Sequence, residues 1–301
     1  MRILAIEASG PVAACAVCED DILVAEYSVQ YKKKHSQSLV PMLDEVRSMI
    51  DLDLSGIDLI ATTAGPGSFT GLRIGAATAK GLGLALNKPI LPVPTVDSLA
   101  CNLFGTDRLI CPIMDARRQQ VYTGIYQNIA VSNTDVAQNV ASAKDEAAQN
   151  CRATQTTAVA RDEAAQSSNA TQNAADCGDG AMQGNQKVMT LRVHTPQCVV
   201  ALSEIIGKLN ALGKELNQGV IFLGDGVPVY KDAIAEQMEV PYMFAPAHLS
   251  RQRAASTAVR AAELFAQHGE EILVSADDFR PEYLRVPQAE RERGDKRDYR
   301  V

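Results

Sequence analysis

The chain has 301 residues, a hydrophobic share of 46% and a formal net charge of −7. That is enough apolar material for two ordinary lobes, whereas the acidic balance, with no basic stripe interleaved with aromatics, argues against autonomous nucleic-acid binding. Seven scattered cysteines argue against a disulfide scaffold and fit a reducing, cytoplasmic setting, and no apolar run approaches the roughly 20 residues a membrane span needs.

Met1-Arg2 runs directly into an apolar strand pattern with no signal-peptide core. Residues 2–8, 12–18 and 22–29 read as a meander of antiparallel strands separated by polar turns. Cys15 and Cys18 form a C-x-x-C spacing, but strand period two sends residues three apart to opposite faces, so a metal or redox role is not expected. Residues 36–50 read as a helix with Ser36 as N-cap, Pro41 in its first turns and Leu39 and Leu43 on its apolar side.

The apolar run 57–63 is a buried strand that feeds GPGSFTGLRIG, residues 65–75. This loop lacks the Gly-Lys-Ser/Thr ending of a phosphate loop and the G-x-G-x-x-G spacing of a dinucleotide fold, so a tight turn competes with a binding loop. In the helix that follows, Gly71, Gly75, Ala79 and Gly83 recur at every fourth position. A face of small side chains allows close approach of another helix or of the chain's own sheet. Lys88-Pro89 stops the helix, 90–94 is a strand, and Thr95 opens a short helix to Leu103.

A second block starts with strands at 109–115 and 121–126, joined by the polar turn Ala116-Arg117-Arg118-Gln119-Gln120. Residues 127–187 hold few large apolar side chains and repeat DEAAQ at 145–149 and 162–166, which reads as a low-complexity, mostly disordered insertion. Asn169-Ala170-Thr171 matches a glycosylation sequon by accident. A strand at 188–193, a helix from Thr195-Pro196 to Leu212, a strand within 220–226 that runs into the turn Gly224-Asp225-Gly226, helices at 229–238 and 254–268, and a charged flexible tail at 286–301 complete the pattern. Two similar α/β blocks imply a duplicated bilobal architecture of the actin-like ATPase plan, with lobes at 1–106 and 107–285.

Several segments together resemble one family: ILAIEAS (3–9), HSQSLVP (35–41), AGPGSFTGLRIG (64–75), MDARRQQVY (114–122), GDG (224–226) and RPEYLR (280–285). In order and content they are similar to TsaB, also called YeaZ, the non-catalytic member of the bacterial machinery for threonylcarbamoyladenosine in tRNA. The resemblance implies a duplicated actin-like (ASKHA, ribonuclease H-like) α/β fold. It also implies a cytoplasmic scaffold subunit that binds and activates a TsaD-like transferase and works with a TsaE-like ATPase. Such a subunit reaches tRNA only through the complex, and a free homodimer stays open beside a monomer. The expected partner interface comprises Leu39, Leu43, Gly71, Arg73, Gly75, Ala79, Leu82 and Gly83.

The catalytic relatives carry two histidines four apart on the first helix, a spacing suited to a metal. Here His35 is followed at that spacing by Leu39, so no metal site or catalytic residue is expected. The expected nucleotide site is eroded too: Glu7-Ala8 and Asp115-Ala116 each offer the acid without the following Gly. Gly224-Asp225-Gly226 keeps the small residues of an adenosine loop, which leaves ATP or ADP conceivable only in the assembled complex. The competing reading is an active actin-like ATPase or small-molecule kinase.

Overall fold

The computed structural model describes residues 1–31, 35–132 and 187–284. Nearly all of the expected insertion, and the tail from 286 on, therefore lie outside the described residues.

Each sheet has five strands. The first is β1 (Arg2–Glu7), β2 (Ala13–Glu19), β3 (Ile22–Val29), β4 (Leu59–Gly65) and β5 (Ile90–Pro94), in the order β3-β2-β1-β4-β5. The meander β1-β2-β3 is antiparallel, whereas β4 and β5 run parallel to β1. The second is β6 (Leu109–Asp115), β7 (Gln120–Ser132), β8 (Lys187–Ala201), β9 (Val220–Leu223) and β10 (Tyr242–Phe244), in the order β10-β9-β6-β7-β8. Counted from β1 and from β6, the orders are the same, which makes the duplication explicit.

Among the described residues six helices cover the sheets: α1 (His35–Met49), α2 (Phe69–Leu86), α3 (Thr95–Ala100), α4 (Leu202–Leu216), α5 (Val227–Gln237) and α6 (Ala254–His268). The first sheet buries Leu4, Cys15 and Val17, with Ile57 just before β4, against Met42 and Val46 of α1, and Ile6 and Ile60 against Ala76 and Ala79 of α2. Its opposite face takes α6: Ala254, Ala258, Ala261 and Leu264 pack on Ile3, Ala14, Ala16 and Leu59. Late as it comes in the chain, α6 completes the core of the first sheet. The second sheet has α3 on one face and α4 and α5 on the other. Cys15 and Cys18 belong to different core clusters on opposite faces of β2, as period two requires.

Two boundaries differ from the sequence reading. Thr195-Pro196 do not start a helix; they lie inside β8, and α4 begins at Leu202. β8 is an edge strand, where a proline's missing N–H costs no ladder bond, so the residue pair that resembles a helix start is tolerated in extended chain. Ser36 likewise lies within α1, which starts at His35. The helix is anchored by His35 Nε2, 3.0 Å from the carbonyl oxygens of both Gly10 and Val12, which it can meet only as a donor.

Candidate functional site: an apolar groove between two helices

The glycine-rich loop is shaped by the turn that follows β1. Ser68 caps α2 by accepting from Gly71 N–H at 3.3 Å, and Ser68 N–H donates to Ser9 O at 2.7 Å. A Cβ on Gly67 would stand 2.4 Å from Ser9 O, and one on Gly71 would stand 2.1 Å from Ala8 O. These glycines are required because backbone approaches backbone.

The same packing corrects the expected interface. Gly71, Gly75, Ala79 and Gly83 are all buried, and they face the chain's own first sheet. Gly75 abuts Ala8 and Thr62, and Gly83 abuts Ala276 and Ile90. Leu39 is 1% exposed, in the core with Ile6 and Ile60. Arg73 is exposed but engaged: its guanidinium lies 3.9 Å from the centre of the Phe69 ring, and its Nε–H donates to Tyr283 Oη at 3.3 Å. Five of the eight expected interface positions are thus internal, because the small face of α2 is used to approach the sheet.

Leu43 and Leu82 do line an open surface. Together with Val40, Val46, Ala77 and Gly81 they form an apolar groove of about 510 Å³ between α1 and α2. Val40 is 60% exposed beside it, and a Cβ on Gly81 would meet nothing within 4 Å. The sequence signal for this groove is a second stripe of α2, Arg73, Ala77, Gly81 and Ala85, which is also spaced by four and is exposed throughout. The buried stripe masked it because both are rich in small residues.

The residues expected to hold a nucleotide fall into two groups. Glu7, at the end of β1, is fully buried; its Oε1 accepts from Ser9 N–H at 2.7 Å and from Ser9 Oγ–H, and its Oε2 lies 3.5 Å from Thr257 Oγ1. Burial pushes the carboxyl up to about 7. A carboxylate that holds Mg²⁺ must be ionised and must offer a lone pair to the cleft; Glu7 is instead closed in by its own neighbours. Asp115 accepts from Arg117 N–H at 2.8 Å and from Tyr230 Oη–H at 3.1 Å. Asp225 is pushed up by burial, and its Oδ1 has no hydrogen-bond partner.

Gly224 and Gly226 are explained by packing, since Cβ atoms there would stand 2.2 Å from Ile113 O and 2.9 Å from Ile113 Cγ2. Gly224 also has φ +112°, a region that L side chains rarely adopt. The residues present do not fit a Mg-nucleotide. Among the described residues there is no group of three or more His, Cys, Asp or Glu placed to hold a metal ion, and no helix is long and apolar enough to cross a membrane.

A family model described as TsaD, tRNA N6-adenosine threonylcarbamoyltransferase, matches residues 24–293. The tRNA threonylcarbamoyladenosine biosynthesis protein TsaB of Bacillus subtilis is 42% identical over 127 residues, which is 42% of this chain and 56% of that protein. The chain belongs to this family as a member of the TsaB (YeaZ) type. TsaB of Escherichia coli is 34% identical over 130 residues, 42% of this chain and 55% of its own length. In these alignments the chain spans about half the length of the curated relatives it matches. YeaZ of Pseudomonas aeruginosa shares the fold with a TM-score of 0.60 at 20% identity, covering 94% of this chain and 99% of that one.

Proposed function

We propose that the chain is a non-catalytic scaffold subunit in the biosynthesis of threonylcarbamoyladenosine in tRNA, which docks and activates a TsaD-like transferase through the α1/α2 groove. The observation that carries the reading is the groove itself. Leu43 and Leu82 stay half-buried in it above the buried Val46, while Leu39, Met42, Ala76 and Ala79 of the same helices are packed on the sheet, and an unfilled apolar furrow between two helices is the shape into which a partner's helical face fits. The non-catalytic part rests on Leu39, a core residue where a second histidine would be needed, and on Glu7, which is fully buried and already hydrogen-bonded by Ser9. A TsaE-like ATPase and tRNA join only through the complex, and the isolated chain holds no nucleotide.

Gel filtration of the chain mixed with the TsaD-like paralogue of its own organism tests the docking. A single earlier-eluting peak is expected, and two separate peaks at tens of micromolar would overturn the reading. Calorimetric titration of the isolated chain with Mg-ATP tests the rest: binding well below millimolar with turnover would replace the scaffold by an ATPase.

A further inference from the structure

Of the expected interface positions, Arg73 alone lies neither in the core nor along the groove. It stands one turn before Ala77 on the exposed stripe of α2, so it continues the groove wall towards the start of the helix. An exposed arginine is ordinarily a mobile side chain, but this one is held on two sides. Its guanidinium carbon lies 3.9 Å from the centre of the Phe69 ring, its Nε–H donates to Tyr283 Oη at 3.3 Å, and the two rings meet at 5.0 Å between centroids. These contacts use the face of the guanidinium and Nε. Among the described residues no carboxylate pairs with Arg73 and its Nη1 and Nη2 groups have no hydrogen-bond acceptor. Asp44 and Arg47, which line the groove, are paired with each other at 3.6 Å, which leaves Arg73 as an uncompensated charge beside it.

Tyr283 is placed by a strap, residues 275–284, that α2 and β4 hold. Lys80 Nζ–H donates to Asp277 O at 3.0 Å and to Phe279 O at 3.3 Å, Phe279 is buried, and Glu282 N–H donates to Ala64 O at 2.7 Å. A residue 210 positions downstream therefore fixes the pose of Arg73.

We propose that Arg73 is the ion-pair anchor of the docking surface, receiving a carboxylate from an acidic side chain on the partner's docking helix, and that Tyr283 is the residue that positions it. The proposal rests on the docking reading above. With Nε–H taken by Tyr283, the two Nη groups form the end-on fork that a carboxylate meets with two parallel hydrogen bonds. Holding the fork in place before the partner arrives removes the side-chain ordering cost from association, and arginine beside aromatic rings is the composition of energetically dominant interface positions. A protein carboxylate is favoured over an RNA phosphate because Arg73 adjoins an apolar groove, whereas an RNA track is a stripe of several cations.

The test uses the full chain with Arg73→Gln, Arg73→Lys, Tyr283→Phe and the combination of Arg73→Gln with Tyr283→Phe. Each is titrated calorimetrically with the TsaD-like paralogue across a salt series, with the melting temperature as the control for folding. Arg73→Gln is expected to weaken association about ten- to hundredfold and to flatten its salt dependence, and Arg73→Lys to recover only part of the loss. Tyr283→Phe keeps the ring and removes the hydroxyl. It should weaken association about three- to fivefold at an unchanged melting temperature, and have no further effect in the Arg73→Gln background. If the parent chain binds and Arg73→Gln binds as tightly, the anchor falls and the docking reading stands. An effect of Tyr283→Phe that is the same in both backgrounds would remove its positioning role. If Arg73→Gln leaves association intact but weakens binding of an unmodified tRNA transcript by the assembled pair, the anion is a phosphate and the carboxylate assignment is overturned. If the parent chain itself does not bind the paralogue, the docking reading falls and the anchor with it.

Discussion

Glu7 is the residue whose environment says most. A fully buried carboxyl pushed up to about 7 is protonated in the folded chain under conditions where the unfolded chain is already ionised. A raised folded value means that the associated stability is complete below the ordinary carboxylate range and is lost as pH rises through about 7. The expected outcome is a melting temperature that falls between pH 5 and pH 8, by about 1.4 kcal/mol of stability per pH unit while the two states differ by one proton. Glu7→Gln should flatten that dependence, and a variant with the same slope as the parent chain would refute the assignment. The acid itself was legible in the sequence; its burial was not, because Thr257 and Ser9 close over it from positions 250 and 2 residues away.

At the scale of the element, α2 shows why periodicity names a face without naming what the face meets. Both of its small stripes satisfy the spacing rule, and the choice between them was made by Ala8, whose carbonyl oxygen stands where a Cβ of Gly71 would go. Gly75→Leu would force a branched side chain into Ala8 Cβ, 3.3 Å from an added Cβ. This overpacking should cost roughly 1–3 kcal/mol or more, read as a lower denaturation midpoint rather than as lost association alone. Gly81→Glu makes the opposite prediction. With open space around it and a better helix former in place, the fold should be as stable or more so, but a charge in the groove should weaken co-elution with the TsaD-like paralogue at least tenfold. If Gly75→Leu keeps full stability, or if Gly81→Glu keeps full association, the assignment of the two faces is reversed.

The end of β8 and the start of α4 illustrate the same limit. Thr195-Pro196 satisfies a helix-start rule locally, yet the edge position of β8 removes the penalty that would have argued against a strand. β10, three residues long, has too little sequence to show a period and exists because it pairs with β9.

Across the molecule, the order of strands in the two blocks was readable because each strand carries its own period and each crossover its own helix. What joins the blocks was not. Asp97 of α3 accepts from Tyr126 Oη–H of β7 at 2.8 Å and from Arg260 Nη2–H of α6 at 3.0 Å, and Arg260 Nη1–H also donates to Glu263 at 2.9 Å. Ser98 and Thr257 lie in hydrogen-bond contact at 2.8 Å beside them. These partners are up to 163 residues apart, and no local pattern marks a buried ion pair. Arg260→Met should leave the buried Asp97 and the partly buried Glu263 without their cation and cost about 3–5 kcal/mol, whereas Tyr126→Phe should cost about 1–2 kcal/mol. Chemical denaturation of both variants checks the ranking, and an equal cost would show that the ion pair is not what binds α3 to α6.

The late position of α6 has a consequence for how the protein is made. One face of the first sheet, with Ile3, Ala14, Ala16, Leu59 and Leu91, is covered only when residues 254–264 arrive. Val274 then pairs with Ile90, and Glu282 N–H donates to Ala64 O at 2.7 Å. During synthesis strands β1 to β5 must therefore wait, apolar face open, until α6 has left the ribosome. Closing contacts across such sequence distances is intrinsically slow, so the first lobe to be translated is the last to be finished, and the interval is one in which a holding chaperone would find exposed sheet to bind.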